Sequence, residues 1–210
     1  MHRYFIKTPW IVKQLFKSYV WEIPSRDKAV YLTFDDGPHP IITSWVLDQL
    51  KKFNASATFF CIGKNVLEYP EIYQQILIQN HSVGNHTFNH LNGWKTSDEI
   101  YFSDIKKAAG IIKSSLFRPP YGRITQSQAK KLSDVLNEPD IKIIMWDVLS
   151  ADFDKAFSNE QCFSNIIEHV TAGSIVVFHD SEKAFSHLKF ILPRTLEYLS
   201  KSGYQFKRIE

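Results

Sequence analysis

At 210 residues the chain has room for one domain with a sizeable core and is short for two. Its 44% apolar and 22% charged residues exclude a disordered chain, and a net charge of +3, carried by lysines in scattered short pairs, argues against a nucleic-acid partner. No apolar run reaches the roughly 18 residues of a membrane-spanning helix.

Residues 1–7 are basic and aromatic, but the apolar run beyond them is broken by Lys7, Pro9, Lys13 and Lys17, and no small-residue cleavage site follows. The expectation is a cytoplasmic protein, with action outside the cytoplasm left open. Residues 10–20 read as an amphipathic helix with Trp10, Ile11, Leu15 and Phe16 on one side. Residues 1–28 read as a helical lead-in packed on a main domain that spans 29–210.

Residues 29–34, rich in β-branched and aromatic side chains, form the first strong strand. Residues 41–53 carry helical spacing through Ile42, Trp45, Val46, Leu50 and Phe53. A strand over 57–62, a helix over 65–79 and a short strand over 81–84 follow. Cys61 lies in an apolar run and reads as a buried thiol. It is far from Cys162, and no CxxC spacing implies a disulfide framework. Thr96 with Glu99 three residues on looks like a capping box, opening a helix to about residue 113. Residues 125–136 read as a helix, 141–148 and 174–178 as buried strands, 159–170 and 187–202 as helices, and 204–209 as a last strand. Strand–helix units in this order need a mainly parallel sheet with helices outside, most naturally a closed or partly closed barrel of about seven units. In a barrel, functional groups gather at the C-terminal ends of the strands.

The polar clusters fall where the apolar runs end. Asp35 and Asp36 close the first strand, and two adjacent carboxylates there are costly unless their charge is compensated. Successive strand residues point to opposite sides, so the two have different roles. His86 and His90 stand at i and i+4, one face of a helical turn and the spacing of zinc sites, although a third protein ligand is needed. Arg118-Pro-Pro-Tyr121-Gly122 is a stiff segment that could aim the Tyr121 N–H at a developing oxyanion, with Arg118 a cation favouring ionised carboxylates. His179 ends another buried strand and suits a general acid, with Asp152 a candidate to orient it. Each cluster alone could be a cap, a turn or a satisfied core group. Together they are hard to explain by packing.

TFDDGP, HTFNH, RPPYG, WDVLSAD and VVFHD, spanning residues 33–180, match in order the five motifs of a known family. The chain resembles the polysaccharide deacetylases of carbohydrate esterase family four, which share the nodulation-protein deacetylase domain. That resemblance implies a distorted (β/α) barrel and removal of N-acetyl groups from N-acetylglucosamine-containing saccharides of peptidoglycan or chitooligosaccharide type. It implies Asp36, His86 and His90 as ligands of a divalent metal, Zn2+ first, with Co2+, Ni2+ or Mn2+ as alternatives. Asp35 would be the general base, paired with Arg118. Tyr121 would supply the oxyanion N–H, and His179, steadied by Asp152, the acid. The fourth motif departs from the family: Leu149 stands where an Asp is common and Phe153 where a Trp is, which implies an altered groove. Val177 replaces the usual Leu at the pocket for the acetyl methyl. The partner is a carbohydrate substrate. Rival readings are a metal-dependent amidohydrolase on a non-sugar amide, an O-acetyl sugar esterase, and a sugar-binding protein with an inactive metal site.

Overall fold

The structure, a computed structural model, describes residues 4–210. Its centre is β1 (Ala29–Asp35), buried at every position, as a strand covered on both faces must be. It pairs in parallel with β2 (Thr58–Cys61) on one side and β7 (Ile175–His179) on the other. The sheet runs β5 (Lys142–Ile143), β4 (Leu116–Phe117), β3 (Ser82–Asn85), β2, β1, β7, β6 (Val148–Leu149), with β8 (Gln205–Phe206) joining the start of β1. Every ladder is parallel. The two ends of this order, β5 and β6, are separated in the chain only by residues 144–147, so the sheet has to curl until its edges nearly meet. The result is the distorted (β/α) barrel that the resemblance implies.

The run 141–148 is therefore two strands and not one. Its middle leaves the ladder because other donors take its carbonyls: the Arg118 guanidinium binds those of Ile144 (3.1 Å) and Met145 (2.9 Å). The Met145 N–H goes to the carbonyl of Val20.

Outside the sheet, α2 (Ile42–Lys52) buries Ile42, Val46, Leu47 and Leu50. The single helix expected over 65–79 is two, α3 (Gly63–Glu68) and α4 (Pro70–Ile78). The Pro70 ring forces Tyr69 out of the helical region (φ −130°, ψ 59°) and then sits at the first turn of α4, where its missing N–H is harmless. Next, α5 (Asp98–Ala109) is capped by Ser97 without a side-chain bond, and the expected Thr96–Glu99 box does not form. The Thr96 hydroxyl instead donates to the Asn92 carbonyl (2.8 Å). True capping boxes open α6 (Gln126–Leu136), through Thr125 and Gln128, and α7 (Asn159–Ile167), through Ser158 and Gln161. The last helix, α8 (Phe185–Lys201), buries Leu188, Ile191, Leu192, Leu196 and Leu199. Between helices and sheet, Phe34 stacks between Phe59 (5.0 Å) and Phe178 (5.5 Å).

The helix near the N-terminus, α1 (Trp10–Leu15), is shorter than expected, and three of its four expected apolar contacts face outward, Trp10 72%, Ile11 62% and Leu15 71% exposed, while Phe16 packs inward beside Tyr19. Charge docks this segment on the barrel. Lys7 and Lys13 reach the fully buried Asp147 at 2.5 and 2.6 Å.

Candidate active site

Asp35 ends β1 facing Arg118, which follows β4. The Arg118 guanidinium is fully buried and donates to Asp35 (2.7 Å), to the Thr33 hydroxyl (2.8 Å) and to the two carbonyls of residues 144–145. It lies 4.0 Å over the Phe60 ring. A buried cation with this many acceptors and one close carboxylate is compensated where an isolated one would be prohibitive.

Asp36 leaves the strand with φ 82°, which turns its side chain away from Asp35. Its Oδ1 is 3.2 Å from His90 Nε2 and 3.8 Å from His86 Nε2. One ligand atom from each of Asp36, His86 and His90 lies within 4.8 Å of the others. The two histidines do not meet on a helical turn. Residues 86–90 form a loop in which Thr87 (φ 62°) and His90 (φ 58°) are left-handed. The loop is held from behind by Asp104 of α5, which accepts the N–H groups of Phe88 and Asn89, each at 2.9 Å. Nothing local in the sequence signals Asp104.

The donor set fits a divalent cation. His86 Nδ1 is 2.8 Å from the Arg118 carbonyl, so it carries the proton and leaves the Nε2 lone pair toward Asp36, the usual outer-shell arrangement of a metal-binding histidine. Burial lowers the His86 pKa to about 4, only partly offset by the charge of Asp35, so the imidazole is neutral as a ligand must be. Burial pushes the Asp36 carboxyl up, but its bond from His90 and the nearby imidazoles overcome this and leave it below the usual carboxylate range.

His179, at the end of β7, has its Nδ1 2.7 Å from Asp152 Oδ1, while Asp152 Oδ2 accepts the His179 backbone N–H at 2.8 Å. Burial pulls His179 down, yet the charge and hydrogen bond of Asp152, with Asp36 and Asp35 behind, raise its pKa to about 9. Tyr121 is left-handed (φ 60°), with its ring 4.6 Å from that of His90. The bonds that close its turn come from Gly122 and Arg123, so neither uses the Tyr121 N–H.

Asp35, Asp36, His86, His90, Tyr121 and His179 all line one cavity of about 370 Å³, with Arg118 and Asp152 beneath. Leu149, Phe153 and Val177, the three departures from the family pattern, also line it. So do Tyr4, Arg123 and Lys183, which sequence reasoning passed over. Asp180, the last residue of VVFHD, accepts the Gly37 N–H (3.0 Å) and the Thr43 hydroxyl, fixing the turn after Asp36. Burial, together with the Asp36 charge and against the Thr43 bond, raises its pKa to about 7.

A parallel barrel with a carboxylate–imidazole triad at its strand ends fits the class of metal-dependent enzymes, hydrolases among them. Comparison with known proteins narrows the class. The chain belongs to the polysaccharide deacetylase family: the profile described as "Polysaccharide deacetylase" matches residues 22–144. It is 34% identical over 192 residues to a peptidoglycan-N-acetylglucosamine deacetylase of Bacillus cereus, covering 89% of this chain and 88% of that one. A chitooligosaccharide deacetylase of Azorhizobium caulinodans is 33% identical over 165 residues, 75% of this chain and 76% of that one. A crystal structure of a peptidoglycan N-acetylglucosamine deacetylase in complex with 4-naphthalen-1-yl-N-oxidanyl-benzamide superposes with a TM-score of 0.80 at 30% identity, covering 96% of this chain and 95% of the other. A family 4 carbohydrate esterase from Streptomyces lividans, in complex with acetate, superposes at 0.74 with 26% identity, covering 89% and 95%.

Proposed function

We propose that the protein removes N-acetyl groups from N-acetylglucosamine-containing glycans of peptidoglycan or chitooligosaccharide type, using a divalent ion, Zn2+ by preference, held by Asp36, His86 and His90. The observation that carries this reading is the convergence of that triad, Asp35 and His179 on one cavity. The names of the relatives supply the substrate class.

When bound, the ion supplies Lewis acidity to the acetyl carbonyl and the attacking water. The rest belongs to the chain. Asp35, fixed by Arg118, accepts a proton as water adds to the carbonyl carbon. The Tyr121 N–H, which neither bond of its turn uses, donates to the carbonyl oxygen as it becomes an oxyanion. His179, held in one orientation by Asp152, gives its proton to the departing amine as the C–N bond breaks. Leu149 and Val177 form apolar lining suited to the acetyl methyl. Residues 29–210 would be the catalytic domain. The 1–28 lead-in adds to it, since Tyr4 lines the cavity.

The test is acetate release from N-acetylglucosamine oligomers, peptidoglycan fragments, acetylated xylan and small acyl amides, each with and without chelator. Chelator-sensitive release from the first two is expected. Release from xylan alone, or from small amides alone, would move the activity to O-acetyl groups or to non-sugar amides.

A further inference from the structure

We propose that Arg123 and Lys183 are specificity-determining residues that select glycans carrying a carboxylate next to the acetamido sugar being hydrolysed, over neutral chains. The inference rests on the deacetylase reading and adds the charge of the substrate.

It starts from which charges at the cavity are already matched. Asp35 is paired with Arg118 below the floor, and Asp152 with His179. The charge of Asp36 faces His86 and His90, with which it would hold a divalent ion. At the rim, Asp154 accepts the Tyr4 hydroxyl, and Glu182, 87% exposed at its side chain, lies toward His39 at 3.6 Å. Two lining charges remain, and both are positive. Among the described residues neither Arg123 nor Lys183 has an ion-pair partner.

Each cation is nevertheless held in place. The Arg123 guanidinium lies 4.0 Å over the Trp94 ring, and Lys183 Nζ is 5.2 Å from the centroid of Phe153. Stacking on an aromatic face fixes a cation without using its N–H donors. The two stand on different walls. Arg123 follows Tyr121, whose ring abuts His90, whereas Lys183 shares Phe153 with His179. A glycan threaded past the triad thus passes a fixed cation on the metal side and another on the acid side. A neutral sugar leaves these donors to water. A sugar bearing an acid ether or a uronic acid engages them in charge-assisted hydrogen bonds. In partly solvated positions each contact is worth about two- to five-fold in kcat/KM, and salt weakens it.

The metal-loaded full chain is assayed on an oligosaccharide of alternating N-acetylglucosamine and N-acetylmuramic acid, and on the same oligosaccharide with its carboxyls converted to methyl amides. The readout is the acid-to-amide ratio of kcat/KM, which cancels any general loss of activity. At low ionic strength a ratio of about ten is expected for the natural chain, from the two contacts together. It falls toward one in the Arg123→Gln/Lys183→Gln double variant, to about one in Arg123→Glu, where repulsion offsets the remaining Lys183 contact, and toward one for the natural chain in about 0.5 M salt. A ratio of one in the natural chain, or a ratio indifferent to these substitutions, overturns the inference while leaving the deacetylase reading intact. Absence of acetate from both substrates overturns the two together.

Discussion

Replacing the Asp35 carboxylate by its amide separates chemistry from folding at this site. Asp35→Asn keeps an oxygen for Arg118 but cannot take a proton from water. Deacetylation is expected to fall about 10²–10⁴-fold while the thermal melt changes little. Arg118→Met does the opposite damage, stranding Asp35 and three further acceptors. Since both partners are almost fully buried, urea titration should show a loss of about 3–5 kcal/mol. His179 gives the pH signature. Its pKa is raised to about 9, so the protonated acid dominates below that value and kcat/KM falls as pH rises through it. Without the Asp152 carboxylate, burial is less opposed, so Asp152→Asn should move this alkaline limb toward lower pH. An unmoved limb would assign the acid to another group. The DD pair, the histidines and the His at a strand end were legible because ionisable residues ending apolar strands violate ordinary burial.

At the scale of elements, periodicity located most helices and strands, because a helix such as α2 and a strand such as β1 bury residues at the spacing that marks them. Beyond one local break, what it missed was decided by partners distant in sequence. The break at Pro70 was open to inspection. The split of 141–148 was not, since it depends on Arg118 and Val20 taking backbone groups from the ladder. The loop 86–90 is the sharpest case. Its i, i+4 histidines suggested a helical turn, but Asp104 holds a left-handed loop that makes them converge differently. Asp104→Ala should therefore lower metal affinity by about 10–100-fold, measured by titration into chelator-stripped protein, with activity partly restored at high metal. Unchanged affinity would show that the loop keeps its shape unaided.

Across the whole molecule, the N-terminal segment looked like a packed amphipathic helix. Trp10, Ile11 and Leu15 face outward instead, while Phe16 packs inward beside Tyr19 and Lys7 and Lys13 dock on buried Asp147, a carboxylate that needs their charge. The same segment carries Tyr4 to the cavity wall. Asp147→Ala removes the anchor, and the expected result is a raised KM for oligosaccharides with a smaller change in kcat. A fall in kcat at constant KM would place the anchor's effect on the chemistry.

The joining of strand ends from β1 and β3 into one cation site is what all of this depends on, and zinc titration of the chelator-stripped full chain tests it most directly. One ion per chain should bind in the natural protein and in Asp35→Asn, and binding should be lost in His86→Ala and His90→Ala. Stoichiometric binding that survives removal of both imidazoles, or no binding by the natural chain, would contradict it.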